Sequence, residues 1–104
     1  MWAQLITTRL KPGKGEEDLH RLAEQLQATE QPGSGLLHSM AMTDEKDPSR
    51  VYMFIIFENE EKARAREQDS ERQEVLKPAR ETMAEIFDGP PAFVDLKVVE
   101  EKSY

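Results

Sequence analysis

A chain of 104 residues, 38% hydrophobic and 34% charged, has the size and balance of one ordered domain with a modest core. It has no cysteine, which excludes disulfides, thiolate metal sites and a nucleophilic Cys. Its formal net charge of −7 argues against nucleic-acid and anionic-membrane partners, and no apolar run nears the roughly 20 residues that span a bilayer. Met1–Leu5 shows no basic, signal-like pattern, so a cytoplasmic location is the expectation.

Trp2 to Leu10 reads as a first strand, with Trp2, Gln4, Ile6 and Thr8 on one face. Pro12 and the glycines Gly13 and Gly15 end it. Glu16, Glu17 and Asp18 open a helix, their charge suited to the positive end of its dipole; Leu19, Leu22, Ala23 and Leu26 form its apolar stripe. The Pro32–Gly35 segment returns the chain to extended structure. Leu36 to Thr43 is the second strand, and the polar loop around Asp47 and Pro48 turns it into the third, Arg50 to Phe57. Asn59 is the expected N-cap of a short helix over Glu60–Arg66. Ser70 with Gln73 matches a capping box for a longer helix carrying Val75, Leu76, Ala79, Met83, Ile86 and Phe87. Pro78 lies inside that pattern, so a bend or restart is expected near Lys77. After Asp88–Pro91, Ala92 to Val99 is the last strand, with Val94, Leu96 and Val98 as its buried face, and residues 100–104 form a loosely held tail.

The third strand is apolar on both alternating faces, which predicts cover on both sides. Val51, Met53, Ile55 and Phe57 should meet helices. Tyr52, Phe54 and Ile56 should meet a second copy of the chain, because no element remains to cover them. The order β-α-β-β-α-β defines an α+β, ferredoxin-like arrangement with a four-stranded antiparallel sheet, built from residues 1–104 as a single domain.

Leu10–Gly13, Pro32–Gly35, Asp47–Arg50, Glu58–Ala63 and Gly89–Pro91, in this order and spacing, resemble the antibiotic-biosynthesis-monooxygenase-like domains of the dimeric α+β barrel superfamily. The resemblance covers nearly the whole chain. It implies homodimers with facing sheets and a small-molecule pocket between sheet and helices in each subunit. It also implies oxygenation of a small aromatic or quinol-type metabolite, with no bound metal or flavin. The family's usual tryptophan at the end of the third strand is replaced by Phe57, and its asparagine on the first by Thr8; Arg64 and Arg66 occupy the region of its helix histidine.

Oxygenation without a cofactor requires deprotonation of a phenol or acidic carbon, and donors that hold the resulting oxyanion. The candidates for catalysis are His38, a base near neutral pH if the second strand is phased towards the pocket, and Thr8. Gln4, Met53, Ile55, Phe57, Leu22, Leu26, Met83 and Phe87 are the expected lining. The apolar members of that set read first as an ordinary sheet–helix core, and His38 as a hydrogen-bonded core or interface residue. His38 and His20 lack metal-ligand spacing, so haem binding through either is a third reading, after a non-catalytic dimeric binding or accessory domain.

Overall fold

The computed structural model describes residues 1–104. Its elements are β1 (Trp2–Arg9), α1 (Glu16–Gln27), β2 (Leu36–Thr43), β3 (Arg50–Phe57), α2 (Glu60–Gln68), α3 (Ser70–Val75), α4 (Lys77–Ile86) and β4 (Ala92–Lys97). The four strands form one antiparallel sheet in the order β2-β3-β1-β4, the ferredoxin-like α+β topology. The apolar β3 is thus a central strand. It pairs with β1 along its length, Trp2 opposite Phe57 and Thr8 opposite Val51.

Opposed residues of an antiparallel pair project to the same face. One face therefore carries Trp2, Gln4, Ile6 and Thr8 with Val51, Met53, Ile55 and Phe57. The helices cover it. Val51 and Leu10 pack with Leu22 of α1, with Ala79 and Ile86 of α4, and with Leu76 between α3 and α4; this is the main core. A smaller cluster, Trp2, Phe57 and Ala63, lies under α2. Of the stripe expected on α1, Leu22 is buried and Leu19 and Leu26 pack beside it, while Ala23 is exposed.

The helices begin and end for local reasons. Gly15 precedes α1, and its N–H donates to the Asp18 carboxylate at 3.0 Å. Asn59 caps α2, its Oδ1 accepting from the Lys62 N–H at 2.8 Å. The expected capping box at Ser70 is not formed. Asp69 is the cap, its carboxylate accepting from the N–H groups of Glu71 and Arg72 at 3.0 and 3.4 Å. Gln73 instead donates to the Glu67 carbonyl at 2.7 Å. A carboxylate one residue upstream outcompetes the hydroxyl. The chain restarts as α4 at Lys77, with Pro78 in the first turn, where its missing N–H breaks no helical bond. Among the exposed segments α2 and α3 stand out: α2 buries only Ala63, and α3 buries nothing.

Gly35 illustrates why the turn before β2 needs glycine. Its φ is 84°, and a Cβ there would stand 2.6 Å from Cδ and 2.7 Å from Cβ of Lys62.

The last strand differs from expectation. It ends at Lys97, and Val94 and Leu96 face away from the helices, opposite Leu5 and Ala3 on the uncovered side of the sheet. As an edge strand with no element over that side, it leaves both exposed. No helix is long and apolar enough to cross a membrane.

Candidate functional site

The site is built where the helix layer fails to close over the β1–β4 edge. A cleft of about 530 Å³ opens there, lined by Gln4 from β1, Phe93 and Asp95 from β4, Arg64 and Glu67 from α2, Arg72 and Gln73 from α3, and Leu76 and Arg80 at the α3–α4 break. Its volume lies in the range of small-molecule sites. A smaller depression of about 260 Å³ lies on the other side of α2, against the loop before β2.

The floor is set by strand alternation. Gln4 and Asp95 are register partners, so both project to the helix side. Gln4 Nε2 donates to Asp95 Oδ1 at 3.0 Å, and Arg64 Nη2 donates to Asp95 Oδ2 at 2.9 Å. Arg64 also meets Glu60 at 3.3 Å and Glu67 at 3.4 Å, and its guanidinium lies 5.1 Å over the Trp2 ring. One arginine thus ties α2 to both central and edge strands. The hydrogen bonds from Gln4 and then Arg64 hold the Asp95 carboxyl below the ordinary aspartate range, and Asp95 in turn raises Arg64. Phe93 opposes Ile6 and stays 58% exposed, a ring face at the mouth of the cleft.

The depressed Asp95 value has a signed consequence. Its stabilisation is fully present above the ordinary carboxylate value of about 4 and is lost as pH falls through the lower folded-state value. Asp95→Asn removes that component. The variant should therefore show a shallower loss of stability below pH 4 than the parent, measured by urea unfolding across an acid series. Equal slopes would rule out the Asp95 network as an acid-sensitive tie.

Of the residues expected at the site, only Gln4 lines the cleft. Leu22 is in the main core, and Leu26, Met53, Met83 and Phe87 pack against it; Phe57 and Ile55 belong to the cluster around Trp2. Thr8 lies on the helix-covered face, opposite Val51, its hydroxyl buried with no hydrogen-bond partner. His38 faces the other way. An extra residue, Leu37, shifts the β2–β3 register between Leu36 and His38, so that His38 opposes Ile56. Without this bulge it would fall on the helix side. His20 is exposed on α1. No group of three or more His, Asp and Glu side chains has metal-holding geometry.

The uncovered face is continuous and apolar. Tyr52, Phe54 and Ile56 are partly buried at its centre, next to Leu5. Met40 (43% exposed), Met42 (40%) and Val94 (47%) flank them on the edge strands.

Sequence reasoning missed Glu67, Arg72, Gln73, Arg80, Phe93 and Asp95. Phe93 and Asp95 were legible as the alternate face of the last strand. Nothing local marks the two arginines, because a helix break and not a periodic stripe brings them together.

Comparison with solved structures places the fold. A Nitrosomonas europaea protein described as a "putative antibiotic biosynthesis monooxygenase" superposes with a TM-score of 0.73 at 15% identity, over 96% of this chain and 100% of its own. A Bordetella bronchiseptica protein of the same description gives 0.73 at 19%, over 95% and 97%. A third structure, named antibiotic biosynthesis monooxygenase, gives 0.69 at 15%, over 96% and 100%. The chain has an antibiotic-biosynthesis-monooxygenase-like fold. No protein-family model and no curated protein matches it.

Proposed function

We propose that this protein is a homodimeric, monooxygenase-like enzyme that takes a small aromatic or quinol-type metabolite into the cleft and oxygenates it without a bound metal or flavin. The observation that carries this is the convergence of an exposed ring face, Phe93, with the donors Gln4, Arg64, Arg72 and Arg80 in one opening between sheet and helices. The names of similarly folded proteins support it. An indole is also at hand: Trp2 stands across the strand pair from Phe57, ring centroids 6.0 Å apart, directly beneath Arg64.

In this reading the aromatic substrate lies on Phe93. Glu67, held by Arg64 only at 3.4 Å, accepts the substrate proton, and Asp95 orients the donors. Arg64 and Gln4 stabilise the anion, which reduces O₂. For an anthrone-type carbon the two methylene hydrogens leave with one oxygen atom as water, and the other oxygen becomes the new carbonyl. His38 and Thr8 take no direct part from where they stand.

The second copy would cover Tyr52, Phe54 and Ile56, since nothing in the chain itself packs over this apolar face. An isologous contact of sheet on sheet would also cover Met40 and Met42 on the same face.

Oxygen uptake with anthrone or a quinol is the test. The parent protein should exceed the uncatalysed rate, and Glu67→Gln should lose about 100-fold in kcat. A parent with no uptake above background overturns the catalytic reading. A non-catalytic binding domain is the second reading, favoured by the absence of histidine from the cleft; binding of the same compounds without turnover would establish it.

A further inference from the structure

Charge is unevenly matched within the cleft. Three guanidinium groups and two carboxylates line it. Arg64 engages both carboxylates, Glu67 at 3.4 Å and Asp95 at 2.9 Å. That leaves Arg72 and Arg80 without partners in the cleft. Arg80 makes no ion pair and no side-chain hydrogen bond; its neighbours one helical turn away are Leu76, Lys77, Met83 and Ala84, none of them acidic. Arg72 is unusual in another way. Its side chain is only 12% exposed, its nearest carboxylate is Glu30 at 3.8 Å, and Glu30 is already gripped by Arg66. The Arg72 Nε is buried with no hydrogen-bond partner at all. Burial first, and then repulsion from Arg66 and Arg80, lower the Arg72 pKa against the pull of Glu30 and Asp69. A chain of net charge −7 thus keeps beside one cleft an exposed arginine with no ion pair, Arg80, and a half-buried one, Arg72, whose one ion pair is the 3.8 Å contact with a glutamate shared with Arg66.

Cations arranged in this way are short of an anion. A planar carboxylate matches guanidinium donors, and desolvation of Arg72 strengthens such a contact. The neighbouring Phe93 ring, exposed at the mouth, adds a surface for an aromatic body.

We infer that the cleft is specific for an aromatic ring bearing a carboxylate, the carboxylate held by Arg72 and Arg80 and the ring laid against Phe93. This rests on the cleft being the ligand site of the proposed function, but it does not require turnover there. An anion at this position also removes the repulsion between the two arginines, so binding stabilises the α3–α4 junction.

The test is calorimetric titration at pH 7 and low salt with 2-naphthoate, its uncharged analogue 2-naphthamide, and inorganic phosphate. The carboxylate should bind at least about ten-fold more tightly than the amide. Arg80→Gln, a change at an exposed position, should narrow that gap several-fold, and Arg72→Gln should do the same. Phe93→Ala should weaken both naphthyl ligands alike. Equal affinity for carboxylate and amide, or a gap unchanged in Arg80→Gln, overturns the inference. So does phosphate binding as tightly as naphthoate and indifferent to Phe93→Ala, which would define a simple anion site. Failure of either claim is separable: carboxylate preference without oxygen uptake sinks only the oxygenase, while oxygenation of uncharged substrates with no preference sinks only the anion site.

Discussion

Replacing Phe57 by alanine is expected to lower folding stability by about 3–5 kcal/mol. The ring is 3% exposed at the end of the central strand. It packs tilted against Trp2 at an interplanar angle of 49°, against Ala63 of α2, Leu36 and Ile55, and beneath the guanidinium of Arg66 at 5.4 Å. This cluster stands apart from the main core, so few neighbours can move in to fill the void. Against a total stability of about 5–15 kcal/mol for a domain of this kind, the loss is large. The midpoint of urea denaturation, followed by circular dichroism, measures it. A change below about 1 kcal/mol would mean that the cluster is not the tight second core described above. The variant also deprives Trp2 of its cross-strand partner, and with it the platform on which Arg64 rests.

Phe54→Asp is expected to leave a folded monomer. Phe54 sits at the middle of the uncovered sheet face, between Leu5 on β1 and Met40 on β2. In the proposed dimer the new carboxylate would be buried among apolar side chains, with a second one brought near it by symmetry. Burial of unpaired charge costs several kcal/mol per ion, enough to raise the dissociation constant more than about 100-fold. Multi-angle light scattering at micromolar concentration should read a dimer for the parent and a monomer for the variant. Circular dichroism of the variant should match the parent, because the substitution points away from both helix-side clusters. A monomeric parent would overturn the proposed dimer outright.

How far the fold was legible follows from the kind of signal each element carries. Leu36–Thr43 and Arg50–Phe57 have the bounds their composition predicts, because turn residues punctuate both ends. Pro78 likewise marks the restart at Lys77, since a proline is tolerated without a kink only in the first turn of a helix. The N-terminal end of α3 was read one residue late, as Asp69 and Ser70 are both good caps and only geometry chooses between them. The side taken by His38 hung on a single extra residue at Leu37, which no pattern in a run of Leu, His, Ser and Met announces. In the last strand Val94 and Leu96 share the face that alternation predicts but are exposed and not buried, because apolar alternation finds a face and does not say what covers it. At the site the difficulty was sharper. Leu22, Leu26, Met83 and Phe87 have the same periodicity whether they enclose a ligand or one another, and in this structure they pack into the core. The polar lining of the cleft comes from four elements, Gln4 on β1, Asp95 on β4, Arg64 and Glu67 on α2, and Arg72, Gln73 and Arg80 about the α3–α4 break, and no single periodic pattern joins them.

The thin attachment of α2 and α3 has a dynamic consequence. These two helices bury one residue between them, Ala63, and are otherwise tied down by polar side chains: Arg64 to Asp95, and Arg66 to Glu30. Local opening energies track buried apolar contact, so this segment is expected to exchange its amide hydrogens as a separate unit, ahead of the sheet and α4. It also supplies Arg64, Glu67, Arg72 and Gln73 to the cleft. Excursions of one weakly anchored flank would admit a ligand larger than the resting mouth, while the strand floor, Gln4 and Asp95, stays fixed as the template onto which that flank recloses.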